Sequence, residues 1–273
     1  MPGYRRGMST TSEERIARFR ELHAEGTFVI PNAWDLASAK LLAADGAVAL
    51  ATTSSGFAAT LGRLDQHVTL DELAAHVEAL ASATELPLSV DAEDGYADDP
   101  GGVAATVRRL ADAGAAGLSI EDWDAAAGAV RDPETAVARI AAAAEAAREA
   151  GGLVLTARAE GLLYEAWDLD TVLERLVAYR EAGADVVYAP GLTDAGDIAR
   201  VVVATGAPVN VLALPDGPSV AELIVLGVRR VSTGGALAWL AYQAALEAAH
   251  LLQRGRRIPT GISAELRNRA FGD

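Results

Sequence analysis

The chain has 273 residues, 51% of them hydrophobic, with a formal net charge of −15 and an isoelectric point of about 4.7. That content supports a large buried core, and the acidity, with no basic stripe against it, excludes a nucleic-acid surface. The absence of cysteine excludes disulfides, thiolate metal ligands and a cysteine nucleophile or acid, and the single lysine, Lys40, falls inside a predicted helix, which argues against Schiff-base chemistry.

Met1 to Thr11 is polar, with Arg5 and Arg6 but no apolar core, and no later run approaches the roughly 18 apolar residues of a membrane span. A cytoplasmic protein with no membrane partner is expected. Ser12 as N-cap, with Glu14 and then Ile16, Phe19 and Leu22 at helical spacing, predicts a first helix ending near Gly26. Thr27 to Ile30 is a short apolar strand stopped by Pro31-Asn32, and residues 34–44 return to helix. Ala47 to Ala51 is the next strand. After it Thr52 to Phe57 reads as a turn of small polar residues whose free N–H groups suit a carboxylate or phosphate. A long connection carries Gly62, Arg63, Asp65 and His67 to a helix over 70–83. From there strands at 86–90, 117–120, 153–157, 186–188, 209–212 and 230–232 are each followed by a helix. The last helix, over 236–252, is apolar around most of its circumference, as a subunit interface would be. A repeated Ala-Gly-Ala, at 113–115 and 182–184, reads as one helix-to-strand turn used twice. His23, His76 and His250, and Trp34, Trp167 and Trp239, read as surface or packing residues.

Eight strands alternating with eight helices imply an α/β fold closed as a (β/α)8 TIM barrel, one domain over 1–273 with an added N-terminal helix. An open doubly wound sheet would want Gly-x-Gly-x-x-Gly after a strand, and the sequence has none.

In such a barrel the strands deliver their C-terminal ends to one face, where active sites form. The stretch from Leu86 to Val90 releases Asp91, Glu93 and Asp94 within four positions, and acids that close repel unless a cation or proton lies between them. If the strand continues, Asp91 and Glu93 share a face and could serve one hard cation; otherwise the stretch is a solvated acidic loop. Glu121 and Asp122 follow the next strand and Arg158 the one after, which makes a pocket for a metal and an anion. Arg158 could instead pair with Glu121 or Glu160.

Five motifs carry a resemblance that covers roughly residues 15–250: Pro-Asn-Ala-Trp-Asp at 31–35, Thr-Ser-Ser-Gly at 53–56, Asp-Ala-Glu-x-Gly-Tyr at 91–96, Gly-Leu-Ser-Ile-Glu-Asp at 117–122 and Ala-Arg at 157–158. In this order they are similar to the isocitrate lyase and phosphoenolpyruvate mutase superfamily. The resemblance implies a (β/α)8 barrel with an exchanged C-terminal helix, a homodimer or homotetramer, and Mg2+, with Mn2+ as the alternative, beside an oxo acid or its enolate. It also implies roles by position. Asp91, Glu93 and Glu121 would form the metal pocket, Asp65 would support the metal's water shell, and Ser55, Gly56 and Phe57 would receive the substrate carboxylate. Arg158 would contact substrate oxygens, and Asn210 would line the pocket.

The chain departs from the family's cysteine-bearing lyase loop, Lys-Lys-Cys-Gly-His, having only the short alanine-rich stretch Asp122 to Asp132, and Pro190 stands where members carry glutamate or histidine. Asp122, Asp124, Tyr96, Tyr188, His67 or a metal-bound water would have to act as the acid. The expectation is a Mg2+-dependent lyase breaking a C–C bond in a small 2-hydroxy or 2-oxo dicarboxylate. The alternatives are C–P chemistry of the mutase or phosphonopyruvate hydrolase kind, with Ser232 to Gly235 holding phosphate, oxaloacetate decarboxylation, or a barrel that binds an oxo acid without turnover.

Overall fold

The computed structural model describes residues 10–272; Met1 to Ser9, with Arg5 and Arg6, lie outside the described residues. Helix α1 (Ser12–Ala24) is capped by Thr11, one residue before the Ser12 expected, because Thr11 and Glu14 exchange side-chain and backbone bonds as a capping box. Strand β1 (Phe28–Ile30), helix α2 (Leu36–Ala44) and strand β2 (Leu50–Ala51) follow. Where a turn was expected, Ser54–Thr60 forms a short helix, α3, since the Thr53 hydroxyl accepts the Gly56 N–H and starts one. Then come α4 (Leu70–Ala83), β3 (Leu88–Asp91), α5 (Pro100–Asp112) and β4 (Gly117–Glu121). A small hairpin, β5 (Trp123–Asp124) with β6 (Ala129–Val130), occupies the alanine-rich stretch. The rest alternates: α6 (Pro133–Glu149), β7 (Val154–Arg158), α7 (Leu169–Glu181), β8 (Val186–Tyr188), α8 (Ala195–Thr205), β9 (Val209–Leu212), α9 (Val220–Val225), β10 (Arg230–Ser232), α10 (Ala236–Gln253) and α11 (Ala264–Phe271).

Five of the chain's 38 acidic residues cap helix starts. Asp35, Asp99, Asp132, Asp168 and Asp194 each accept a first-turn N–H, and Pro100 and Pro133 occupy the first turn where no N–H is needed. The two Ala-Gly-Ala segments are the same turn: Gly114 (φ +100°) and Gly183 (φ +110°) both exit a helix left-handed. A Cβ on either would come within 2.9 Å of an alanine Cβ, Ala81 or Ala144.

Eight parallel strands run in the order β1-β10-β9-β8-β7-β4-β3-β2, and a parallel bridge between Asn32 and Ala51 joins the two outer strands. Asn32 holds this seam. Its amide donates to the Thr52 carbonyl at 2.6 Å, and its carbonyl accepts the N–H groups of Thr233 and Gly234, both at 2.9 Å. Strand alternation then sorts the side chains. Val90, Leu118, Leu155, Val187, Val211 and Val231 are buried against the helices, and the inward positions include Ser89, Ser119, Thr156, Asn210 and Arg230. A polar barrel interior is a poor way to gain hydrophobic stability and a good way to build a polar pocket.

Helix α10 buries only Ala238 and exposes Trp239, Leu240, Leu246 and Leu252. Trp239 is 54% exposed and makes an edge contact with Tyr242. Val29, on the outer face of β1, is also exposed. Among the described residues no helix is long and apolar enough to cross a membrane.

Asn32→Ala would leave two N–H groups and a carbonyl at the seam without partners, each such buried group costing about 1–3 kcal/mol. Denaturant unfolding should show a loss of about 2–4 kcal/mol; a loss below about 0.5 kcal/mol, within the range of an ordinary surface substitution, would mean the seam does not depend on Asn32.

Candidate active site

Arg158 ends β7 at the barrel mouth and is shared by three acids. Its Nη1 donates to Asp91 at 2.8 Å, its Nη2 pairs with Glu121 at 3.0 Å, and its Nε donates to Glu160 at 2.8 Å. Strand register makes this arrangement: Glu121 lies directly beside Arg158 and Asp91 beside Ser119 on the next strand over. Both partners foreseen for Arg158, Glu121 and Glu160, are therefore real, and Asp91 is a third. A guanidinium has five N–H donors, so two remain for a ligand. The Tyr188 ring lies 5.5 Å from the guanidinium carbon.

Three acids crowd one cation. Burial drives the Glu121 carboxyl well above its ordinary range despite Arg158, and burial likewise raises Glu160 against the same relief. Asp91 is anchored besides by the Ser54 N–H at 3.1 Å, while its own N–H donates to the Thr52 hydroxyl. Gln66, at positive φ, donates from its amide to the other oxygen of Glu121 at 3.0 Å.

Glu93 is not on the strand. Strand β3 stops at Asp91, and Glu93 turns away with φ +46°, so the shared face expected for Asp91 and Glu93 does not exist. Its carbonyl accepts the Glu121 N–H, and its carboxylate takes the Tyr96 hydroxyl at 2.9 Å in a second cavity with Gln66, His67 and Arg131. Burial, then the Asp91 charge, pushes the Glu93 carboxyl up to about 8. Asp94 pairs with Arg131, which also holds Asp124.

The cavity at the barrel mouth has a volume of about 170 Å³ and is lined by Asp65, Asp91, Arg158, Ser55, Tyr188 and Arg230 among others. Asp65 is exposed as a residue, yet at this rim desolvation first, and the Asp91 charge second, raise its carboxyl. Ser55 lines the cavity. Gly56 and Phe57 are buried, and their N–H groups are taken by Thr53, which leaves them little part in holding a carboxylate. Gly56 is required for another reason: a Cβ there would lie 2.6 Å from Thr53 Cγ2 and 2.9 Å from Trp34 Cβ. Asn210 is fully buried, donates to Ser232 Oγ and accepts from Arg230 Nε.

Of the acids considered, only Tyr188 lines this cavity. Asp122 lies behind the site, accepting from Tyr179 at 2.6 Å and from the Glu160 N–H, and Arg175 beside it stacks on Trp167 at 4.0 Å. Asp124 is held in the hairpin, Tyr96 serves Glu93, and His67 is exposed. The hairpin itself is fixed over the mouth by Trp123, which stacks on Tyr164 with centroids 3.6 Å apart. Two residues were given no role at the site by the sequence. Glu160 sits two positions past Arg158 and looked like a mere partner, and Arg230 shares an inward face with Ser232, a placement that strand alternation could have revealed.

The residues suit a hydrated divalent ion rather than a carboxylate cage. Fully ionised, Asp91, Glu121 and Glu160 exceed Arg158 by two negative charges and Asp65 adds another; the Glu121, Glu160 and Asp65 carboxyls are raised by burial first and by neighbouring acids after it. No group of three or more acid or histidine side chains converges with ligand spacing among the described residues. One or two carboxylates with retained waters is the ordinary Mg2+ arrangement.

The phosphoenolpyruvate phosphomutase family model matches residues 19–253. An uncharacterized Mycobacterium tuberculosis protein is 35% identical over 92% of this chain and 95% of its own length. The 2-methylisocitrate lyase of Escherichia coli is 35% identical over 55% of this chain and 52% of its own. Among solved structures, a Burkholderia cenocepacia protein provisionally described as a lyase/mutase superposes with a TM-score of 0.91 at 46% identity, covering 96% of this chain and 97% of its own. A 2,3-dimethylmalate lyase superposes with a TM-score of 0.82 at 28% identity, over 97% and 95%.

Glu93 gives this site a pH signature. Its carboxyl titrates near 8 in the folded chain and near 4.5 unfolded, so between those values the native state binds the extra proton and stability falls as pH rises. In metal-free protein, Glu93→Gln should flatten the decline of melting temperature between pH 5 and pH 8; parallel wild-type and variant curves would show that Glu93 is not neutral in the fold.

Proposed function

Because the chain belongs to the phosphoenolpyruvate phosphomutase family, within the isocitrate lyase and phosphoenolpyruvate mutase superfamily, we propose that it is a Mg2+-dependent lyase. It cleaves a carbon–carbon bond in a small 2-hydroxy or 2-oxo dicarboxylate by way of an enolate. The observation that supports this most is the triple sharing of Arg158 by Asp91, Glu121 and Glu160, of which Arg158 and Asp91 line a small polar cavity.

Asp91 would hold the ion, with Asp65 and Glu121 placed to receive its waters, while Glu93, turned into the second cavity, takes no part. When bound, Mg2+ supplies Lewis-acid polarisation of substrate oxygens. The two free N–H groups of Arg158 hold an anionic oxygen of the substrate and favour the charge that grows as the bond breaks, and losing one such preorganised donor costs about 2.7–4 kcal/mol in well-studied sites. Ser55 binds the carboxylate end. For a hydroxy acid, Asp65, which lines the cavity and whose carboxyl is raised by burial, takes the hydroxyl proton. The C–O bond becomes a carbonyl, the C–C bond breaks, and its electron pair stays on the departing fragment as the enolate. Tyr188, kept neutral by burial, donates the proton that ends the enolate, with Arg158 over its ring to stabilise the phenolate left behind.

Decarboxylation of oxaloacetate is the second reading, favoured by the hairpin β5–β6, which puts none of its side chains into the cavity at the barrel mouth. Loss of CO2 needs no acid in the cleavage step. Chemistry at phosphorus has less support, because Asn32 already takes the Thr233 and Gly234 N–H groups that would hold phosphate. The proposed assembly is a homodimer or homotetramer in which α10 is exchanged, since its apolar face and the uncovered Val29 groove belong to one chain and would satisfy each other between two copies.

NMR-detected turnover of 2-methylisocitrate, 2,3-dimethylmalate, oxaloacetate and phosphonopyruvate, with and without Mg2+, tests the reading. One of the first three substrates should be consumed only with Mg2+, and Asp91→Ala should slow it at least ~100-fold. Consumption of phosphonopyruvate alone would place the bond at phosphorus, and no turnover of any would favour a barrel that binds without reacting.

A further inference from the structure

Arg158 is over-supplied with carboxylates, and the other cation of the cavity has none. Arg230 opens β10 on the barrel's inward face, is 5% exposed and lines the same cavity as Ser55, Asp91 and Arg158. Its Nε donates to Asn210 Oδ1 at 2.8 Å, its Nη1 is buried with no partner, and it forms no salt bridge among the described residues. Burial lowers it to about 10, so it stays charged at neutral pH, with Tyr188 the one nearby group that would favour the charge and Arg158 opposing it. A buried, unpaired guanidinium is expensive to keep and calls for an anion.

The anion cannot come from beneath. There lies His23, whose ring packs edge-on against Phe19 and Phe28; burial, and after it the Arg230 charge, push the imidazole down to about 3. A neutral histidine in an aromatic plug offers no counter-charge. From the side, Asn210 is itself fixed by its bond to Ser232 Oγ at 3.0 Å, which aims the guanidinium, and the small exposure Arg230 keeps is in the cavity it lines. The open direction is the cavity.

Resting on the reading of this cavity as the substrate pocket, we propose that Arg230 receives the second anionic group of the substrate, a carboxylate distal to the one held near Ser55 and Arg158. The pocket thereby selects small dianionic acids over monocarboxylates of the same core. With about 170 Å³ available, the acid is short: two carboxylates joined by a few carbons fill the space between the rim and the floor.

L-Malate and L-lactate differ by one distal carboxylate and serve as probes, titrated calorimetrically into the full chain with Mg2+. Wild type should bind malate at least ~10-fold tighter than lactate, and Arg230→Met should collapse that ratio to within ~2-fold. Asn210→Asp is the second variant: it keeps Arg230 but gives Nε an internal carboxylate, and it should lower the malate-to-lactate ratio as well, with thermal midpoints confirming that both variants fold. A ratio unchanged in both variants would overturn the proposal and leave the pocket reading standing. If neither acid binds wild type, the pocket reading falls and the proposal with it.

Discussion

The structure depends on one crowded guanidinium. Arg158 is the common partner of Asp91, Glu121 and Glu160, which come from β3, β4 and the segment after β7, so a single side chain fixes the relative heights of three neighbouring strand ends. Three acids around one cation are a poor stability device, because desolvating the carboxylates costs as much as their attraction returns, while removing the arginine would strand buried charge at about 3–5 kcal/mol. Such an arrangement makes sense as a site held ready for further positive charge. The raised carboxyls of Glu121, Glu160 and Asp65 record the same strain from the acids' side.

Everything around the cluster serves its placement. Asn32 closes the barrel by joining the end of β1 to the turn after β10, and without that seam the mouth would have no fixed rim. Behind the acids, Asp122 takes the Glu160 N–H and is itself held by Tyr179 and Arg175, so the backbone that presents Glu160 is braced from the helix layer. The cavity's second cation, Arg230, lies at the start of β10, three strands along from Arg158, and forms no salt bridge among the described residues. The cavity is thus negative at one rim and positive at its floor, a polarity that orients a ligand carrying both metal-binding oxygens and a free carboxylate.

Much of this was legible in the sequence. Alternating apolar runs and capped helices gave the barrel, because each signal is local and survives burial. Asp91, Glu121 and Arg158 could be gathered because they end consecutive barrel strands, and topology then brings them together. Glu93 was misplaced, since the rule that residues two apart share a face holds only while the strand lasts, and β3 ends two residues earlier. Thr53 to Gly56 looked like a turn because small polar residues favour both turns and helix starts, and only the Thr53 cap decides between them. Arg230 was read as the start of a strand. Strand alternation puts it on the face of Ser232, but that this face is a cavity floor depends on β8, β9 and β10 meeting around the axis.

The central claim is that the Arg158 cluster is a pocket completed by a divalent ion for an oxo acid. Calorimetric titration of oxalate, a rigid mimic of the enolate, into metal-free protein with and without Mg2+ tests it most directly. The account predicts binding at least ~10-fold tighter with Mg2+. Equal affinity in the two conditions, or no binding in either, would contradict it.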